Sequence, residues 1–172
     1  MDPVIAIGEP APTFTLDDLN GISHSLGDWR DRLTILNFWS AECPWSERTD
    51  RELLSCLAGW DETVSLVPIA PNRNEPLDLL KEVAARRGLP LVLHDTDQRV
   101  AGLYGVETTP HLFVIDRAGI LRYQGAVDDV TFRLHTPTRA YLRQAIEALL
   151  GGRSPDPEIT PAYGCTLVRY AL

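Results

Sequence analysis

The uncharged run Leu33-Thr-Ile-Leu-Asn-Phe-Trp39 sets the strongest constraint on this chain. It is rich in β-branched and aromatic side chains, as a central strand covered on both faces must be, so the fold needs a sheet with layers above and below it. Beyond Cys43-Pro44, the residues Leu53, Leu54, Leu57 and Trp60 recur at helical spacing through Trp45–Trp60. Pro44 suits the first helical position, where its missing N–H would be unpaired anyway. The pattern places Cys43 at the amino end of a helix that follows a buried strand.

That position has a chemical consequence. The partial positive charge of the helix end and its free N–H groups favour the thiolate, the reactive form of cysteine. Glu42 opposes this effect, and Arg48, one turn along, supports it. A small apolar residue capping a helix is the alternative role for a lone cysteine. The order strand, cysteine, proline, helix favours the reactive one.

At 172 residues the chain has the length of one domain, enough to bury about two thirds of its unfolded surface. A formal net charge of −8 argues against a nucleic-acid backbone or an anionic membrane as partner, and reads most simply as solubility. The opening Met1 to Gly8 has no basic segment and no long apolar core, so neither a secretory signal nor a membrane span is expected. The cytoplasm is the expected location. Three cysteines far apart make no disulfide framework, and in a reducing compartment such thiols are more often buried or reactive. No two have zinc-ligand spacing, and His24, His94, His111 and His135 are scattered, so neither a metal nor a cofactor is expected.

In chain order, Phe14 and Leu16 alternate inward before a hairpin turn at Asn20-Gly21. Thr63 to Ala70 reads as a second parallel strand, and Leu77 to Gly88 as a helix stopped by its glycine. Leu91 to His94 is a short strand and Gln98 to Tyr104 a short helix. Thr108 to Gly125 holds two strands joined at Arg117-Ala118-Gly119, and an amphipathic helix runs from Thr138 to Leu150, ending at Gly151-Gly152. This order calls for an α/β fold, a mixed sheet with helices on both faces, with Cys43 at the carboxyl edge where sites on such sheets form. Arg153 onward is proline-rich and reads as an extended tail lying across the domain.

Four motifs carry a resemblance: Gly8-x-x-Ala-Pro-x-Phe-x-Leu16 with Gly21; Phe38-Trp39 followed by Cys43-Pro-Trp-Ser46; Thr109-Pro110 before Leu112-Phe-Val-Ile-Asp116; and Tyr163-Gly-Cys-Thr-Leu-Val-Arg-Tyr170. Together they resemble the thioredoxin-like superfamily, and within it the peroxiredoxin-like redoxins of the alkyl hydroperoxide reductase and thiol-specific antioxidant type. The first is similar to the redoxin N-terminal hairpin, and the second to a CxxC motif with Ser46 in place of its second cysteine. The third is similar to the Thr-Pro whose cis proline packs beside the redox cysteine. The last is similar to the Gly-Cys-Thr-Ile-Lys-Trp terminus of one peroxiredoxin-like subgroup. The resemblance implies a thioredoxin-like domain over 1–152 with an N-terminal β-hairpin extension, and an extended C-terminal tail over 153–172 packing on it.

It also implies a thiol-disulfide oxidoreductase or a peroxiredoxin-like antioxidant protein. Cys43 would attack a protein disulfide or a peroxide, Cys165 would resolve the intermediate, and Ser40, Pro44, Trp45, Ser46, Thr109 and Pro110 would surround the substrate. Ser46 rules out a disulfide within the motif, and Asn37 stands where thioredoxins carry a buried aspartate. Leu36 replaces the proline of the peroxiredoxin motif, although Ser40 keeps its hydroxyl, and Pro110 stands about where peroxiredoxins place an arginine. Two other readings stay open. Glutathione or a partner protein would supply the second thiol to a one-cysteine site, with glutathione or thioredoxin as the reductant of an enzymatic site, or the chain would be a non-catalytic module binding a partner around Trp45 and Pro110. Cys56 reads as a core thiol, His111 as a proton carrier or the first residue of a strand, and Arg117, Arg122 and Tyr123 as hairpin surface.

Overall fold

Residues 5–169 are described by the computed structural model. The first four residues of the 1–152 span and the last three of the 153–172 span, Tyr170 among them, lie outside that range. Strands β1 (Thr15–Asp17) and β2 (Ser23–Ser25) form the expected antiparallel hairpin. The Asp18 carboxylate fixes its turn by accepting from the N–H groups of Asn20 and Ile22 at 2.8 and 3.0 Å.

Strand β3 (Leu33–Phe38) is buried at every position. It runs parallel to β4 (Val64–Ala70), which runs parallel to β5 (Leu93–His94). On its other side β3 pairs antiparallel with β7 (His111–Ile115), and β7 with β8 (Leu121–Gly125), giving the order β5-β4-β3-β7-β8. Successive strand residues face opposite ways, so β3 serves two cores at once. Leu33 and Ile35 pack with Leu53 of α1 (Pro44–Leu57) and Leu142 and Ile146 of α4 (Tyr141–Leu150). Leu36 and Phe38 pack on the opposite face with Phe14 and with Val100 and Ala101 of α3 (Arg99–Leu103). Helix α2 (Leu77–Arg87) lies against Trp39 through Leu80, Val83 and Ala84. Each fully buried leucine, isoleucine, valine or phenylalanine among these contributes about 1.5–3 kcal/mol. No helix among the described residues is long and apolar enough to cross a membrane.

Three details differ from the sequence expectation. Helix α4 begins at Tyr141 rather than Thr138, because the N–H groups of Thr138 and Arg139 and the Thr138 hydroxyl all donate to the Asp129 carboxylate and hold that segment as a loop. Tyr123 is not on the surface: it is fully buried, donates to Ala126 O at 2.5 Å and shares a hydrogen bond with the Thr160 hydroxyl at 2.7 Å. The segment before β7 supplies a separate strand, β6 (Thr108–Thr109), which leaves the main sheet to pair antiparallel with β9 (Cys165–Thr166) of the tail.

The tail follows a fixed course. It first joins the edge of β8, with Gln124 N donating to Glu158 O and Thr160 N to Gln124 O, both at 3.0 Å. Gly125 permits this approach: at φ 145° it has no side chain to strike Thr160, which fills the space a Cβ would need. It then crosses above the end of β3, pairs with β6, buries Leu167, and ends against the loops after β4 and before α3, where Val168 N donates to Asn72 Oδ1 at 2.7 Å.

Candidate functional site

Strand β3 leads into the loop Trp39 to Glu42, and Cys43 caps α1 with extended backbone (φ −87°, ψ 121°) and Pro44 next to it. Cys43 is 2% exposed and disulfide-bonded to Cys165, with the two Cα atoms 6.2 Å apart across 122 residues of sequence. Its Sγ lies 3.5 Å from Thr109 O, just before the cis Thr109–Pro110 bond. The register of β6 and β9 sets Cys165 directly opposite Thr109. A strand, a helix cap, a cis-proline loop and the tail therefore meet at one pair of sulfurs.

The other expected site residues divide into two groups. Trp45 is half-buried, with its ring edge-on to Tyr163 of the tail at 4.8 Å, while Pro44 is exposed beside it. Pro110 is buried beneath Gly164. Ser46 and Ser40 turn inward instead: Ser46 is fully buried with its Oγ accepting from Ser40 N at 3.1 Å, and Ser40 is 4% exposed with its hydroxyl donating elsewhere. These two serines shape the loop beneath Cys43.

The acceptor of the Ser40 hydroxyl is Glu75, which sequence reasoning missed. This carboxylate is 3% exposed and accepts from Ser40 Oγ at 2.6 Å and from Ala41 N and Glu42 N at 3.1 Å each. It comes from the loop after β4, the parallel neighbour of β3, so the available signal was topological: the two loops leave the same sheet edge. Arg87, at the end of α2, secures the same loop by donating to Ser40 O at 3.1 Å and Ala41 O at 2.6 Å. Arg87 also pairs with Asp50 at 3.2 Å, and Asp50 accepts from Trp39 Nε1 at 2.6 Å. Burial pushes the Asp50 carboxyl up to about 6, against the pull of its Trp39 and Arg87 partners. Asn37 donates to Asp50 at 3.5 Å, and its Oδ1 has no partner among the described residues. A buried carboxylate thus does lie beside the position where thioredoxins carry theirs, but on α1 rather than β3.

Further expectations are corrected. Arg48 does not balance Glu42; it forms a bidentate pair with Asp128, its two nitrogens 3.1 and 2.5 Å from the carboxylate oxygens. Cys56 is free and half-buried rather than in the core, with Arg143 donating to its Sγ at 3.4 Å and burial pushing its thiol up. Arg122 pairs with Asp116 at 2.7 Å. His111 does begin a strand, its ring stacked on Phe113 at 4.4 Å, and no hydrogen bond joins it to Cys43.

Burial depresses the His111 imidazole from 6.5 to about 4, so the unfolded chain binds a proton in that interval that the folded chain refuses. Stability is lost as pH falls through this window, by about 2 kcal/mol for a group with partial solvent access. Asp50 works in the opposite sense, since its raised pKa makes the fold hold a proton more tightly as pH falls below about 6. Comparing His111→Phe with the parent isolates the first effect. Urea unfolding should show the difference in stability shifting by about 2 kcal/mol in favour of the variant between pH 7 and pH 4, and a pH-independent difference would refute it.

The arrangement fits known proteins. A family model described as the AhpC/TSA family matches residues 7–124. The thiol-disulfide oxidoreductase ResA of Geobacillus thermodenitrificans (strain NG80-2) is 36% identical over 117 residues, 67% of this chain and 66% of that protein. The thiol:disulfide interchange protein DsbE of Yersinia pestis is 32% identical over 127 residues, 71% and 65% respectively. The chain spans about two thirds of the length of the curated relatives it matches. A crystal structure of a hypothetical protein, SMc02350 from Sinorhizobium meliloti 1021, superimposes with a TM-score of 0.86 at 30% identity, covering 98% of this chain and 97% of that one.

Proposed function

The chain belongs to the AhpC/TSA family, and from that premise we propose that it is a thiol-dependent oxidoreductase in which Cys43 is the nucleophile and Cys165 the resolving cysteine. The observation that carries the reading is the bond between a helix-capping cysteine and a tail cysteine 122 residues away. In the reduced protein the free N–H groups of the first turn of α1 favour the Cys43 thiolate, which attacks one sulfur of a partner disulfide and expels the other as thiolate. The Cys165 thiolate then attacks Cys43 Sγ, the mixed disulfide breaks, and the partner leaves reduced. Two electrons pass from the Cys43 and Cys165 thiols to the partner. A peroxide would enter the same cycle by leaving a sulfenic acid on Cys43, which Cys165 converts to the same disulfide with loss of water.

Protein thiols and disulfides are the substrate class favoured by the names of the curated relatives. A thiol reductant, one dithiol of the thioredoxin kind or two glutathione molecules, returns the oxidised protein to its starting state and is itself oxidised to a disulfide. In the oxidised form Cys43 is buried while Cys165 is only half-buried, so access directs that reductant to Cys165.

The reduced protein treated with about one equivalent of peroxide or oxidised glutathione should give a Cys43–Cys165 crosslink in peptide mass spectra. A lasting adduct on Cys43 alone would leave a one-cysteine site. A Cys43 no more reactive than an ordinary thiol would leave only a partner-binding module.

A further inference from the structure

The tail does more than deliver a sulfur: it shows what kind of chain fits beside Cys43. Cys165 and Thr166 lie as a β-strand added to β6, held through main-chain groups that any extended polypeptide could supply, and Tyr163 and Gly164 lead into it past Trp45 and the cis-proline loop. The two side-chain positions just before this strand are selective. At Gly164 a Cβ would overlap Thr109 O and stand 2.7 Å from Pro110 Cδ, both parts of the cis-proline loop that cannot swing aside as a flexible side chain would. At Tyr163 the ring packs edge-on against Trp45, with its hydroxyl accepting from Phe132 N at 2.8 Å. The cleft beneath this ring is walled by Trp45, Thr49, Pro110, Leu112 and Val130.

We propose that the groove filled by Tyr163 to Thr166 is a docking site for an extended partner polypeptide with the pattern aromatic-glycine-cysteine, and that the tail is its tethered competitor. The inference rests on the reading of Cys43 as an exchanging thiol and adds the partner's local sequence to it. A partner disulfide enters with its cysteine in the place of Cys165 and a glycine over Thr109. Cys43 thiolate attacks that cysteine, the partner's S–S bond breaks, and its second sulfur leaves as thiolate. The three sulfurs of an exchange lie in line, so Cys165 cannot attack while the partner strand holds its place. The docked strand must first leave β6, still joined to Cys43. The tail then takes the groove, and attack by the Cys165 thiolate breaks the mixed disulfide and releases the partner's cysteine as thiolate. Glycine before the partner's cysteine is the requirement for entry, and the aromatic residue sets how long the strand stays.

The test uses full-length Cys165→Ser protein, on which adducts persist, and three blocked tetrapeptides, Tyr-Gly-Cys-Thr, Tyr-Ala-Cys-Thr and Ser-Gly-Cys-Thr, each presented as its mixed disulfide with glutathione. Equal mixtures compete for Cys43, and intact mass reads the ratio of peptide adducts. The glycine peptide should outcompete the alanine peptide by about tenfold or more, the size of an overpacking penalty. Tyrosine should outcompete serine by several-fold, and Trp45→Ala should abolish that second preference while leaving the first. Hydroxyethyl disulfide serves as the control. If Cys43 reacts with neither it nor the peptides, the exchange reading itself fails. If Cys43 reacts with it and takes the three peptides equally, the docking inference alone is overturned. When the competition is repeated with reduced wild-type protein, a dimer joined through Cys43 of one copy and Cys165 of another, formed in place of peptide adducts, would assign the groove to a second copy and overturn the inference equally.

Discussion

Reduced Cys165→Ser protein given one equivalent of oxidised glutathione is expected to stop after a single event, with glutathione held on Cys43. The parent instead clears the adduct by closing Cys43 to Cys165. The difference in clearance should be about a hundredfold or more, because an intramolecular thiol poised across β6 replaces one that must arrive from solution. Intact mass against time reads it directly, and a variant that clears its adduct as fast as the parent removes Cys165 from the cycle. The same substitution should lower the stability of protein kept under oxidising conditions by about 4 kcal/mol, since a crosslink spanning 122 residues is lost from the unfolded chain. Under reducing conditions the two proteins should unfold nearly together.

Glu75→Ala is expected to be the most damaging single change in the loop beneath Cys43. It leaves the Ser40 hydroxyl and the Ala41 and Glu42 N–H groups without their acceptor. A buried donor left unpaired costs about 1–3 kcal/mol, so a loss of about 3 kcal/mol or more is expected. Glu75→Gln keeps one oxygen and the side chain's volume and should lose about half as much. Urea unfolding of the reduced proteins measures both, and an alanine variant within about 0.5 kcal/mol of the parent would show that water replaces the carboxylate without cost.

What the sequence revealed follows the range of the forces involved. Strand β3, helix α1 and the cysteine between them were legible because apolar runs, helical spacing and a proline at the first turn are local signals. The cis-proline loop and the tail cysteine were legible only through resemblance to known motifs. Glu75 was not, because its three partners lie more than thirty residues away and a glutamate before Pro76 reads as an ordinary loop residue. Asp50 and Arg87 were missed for the same reason: on their own helices each looks like a solvent-facing charge, and only the packing of α1 beside α2 buries them together. Cys56 misled in the opposite direction, since its spacing from Leu53 places it at the margin of the apolar stripe and that margin reaches only half-way into the core. Asp129 shortened α4 by claiming Thr138 from nine residues upstream, a competition no helical periodicity reveals.

The anchorage of the tail on β8 is independent of the disulfide. Thr160 is fixed by Gln124, Tyr123 and Ala126 through hydrogen bonds that reduction of Cys43 and Cys165 leaves untouched. Only four residues then lie between this mooring and Cys165, so the five steps of chain let the Cys165 backbone wander no more than about 17 Å from it. Confinement on that scale amounts to a local thiol concentration in the millimolar range or above. The closing step is therefore first order: its speed is a property of the chain itself, and dilution of the protein does not slow it.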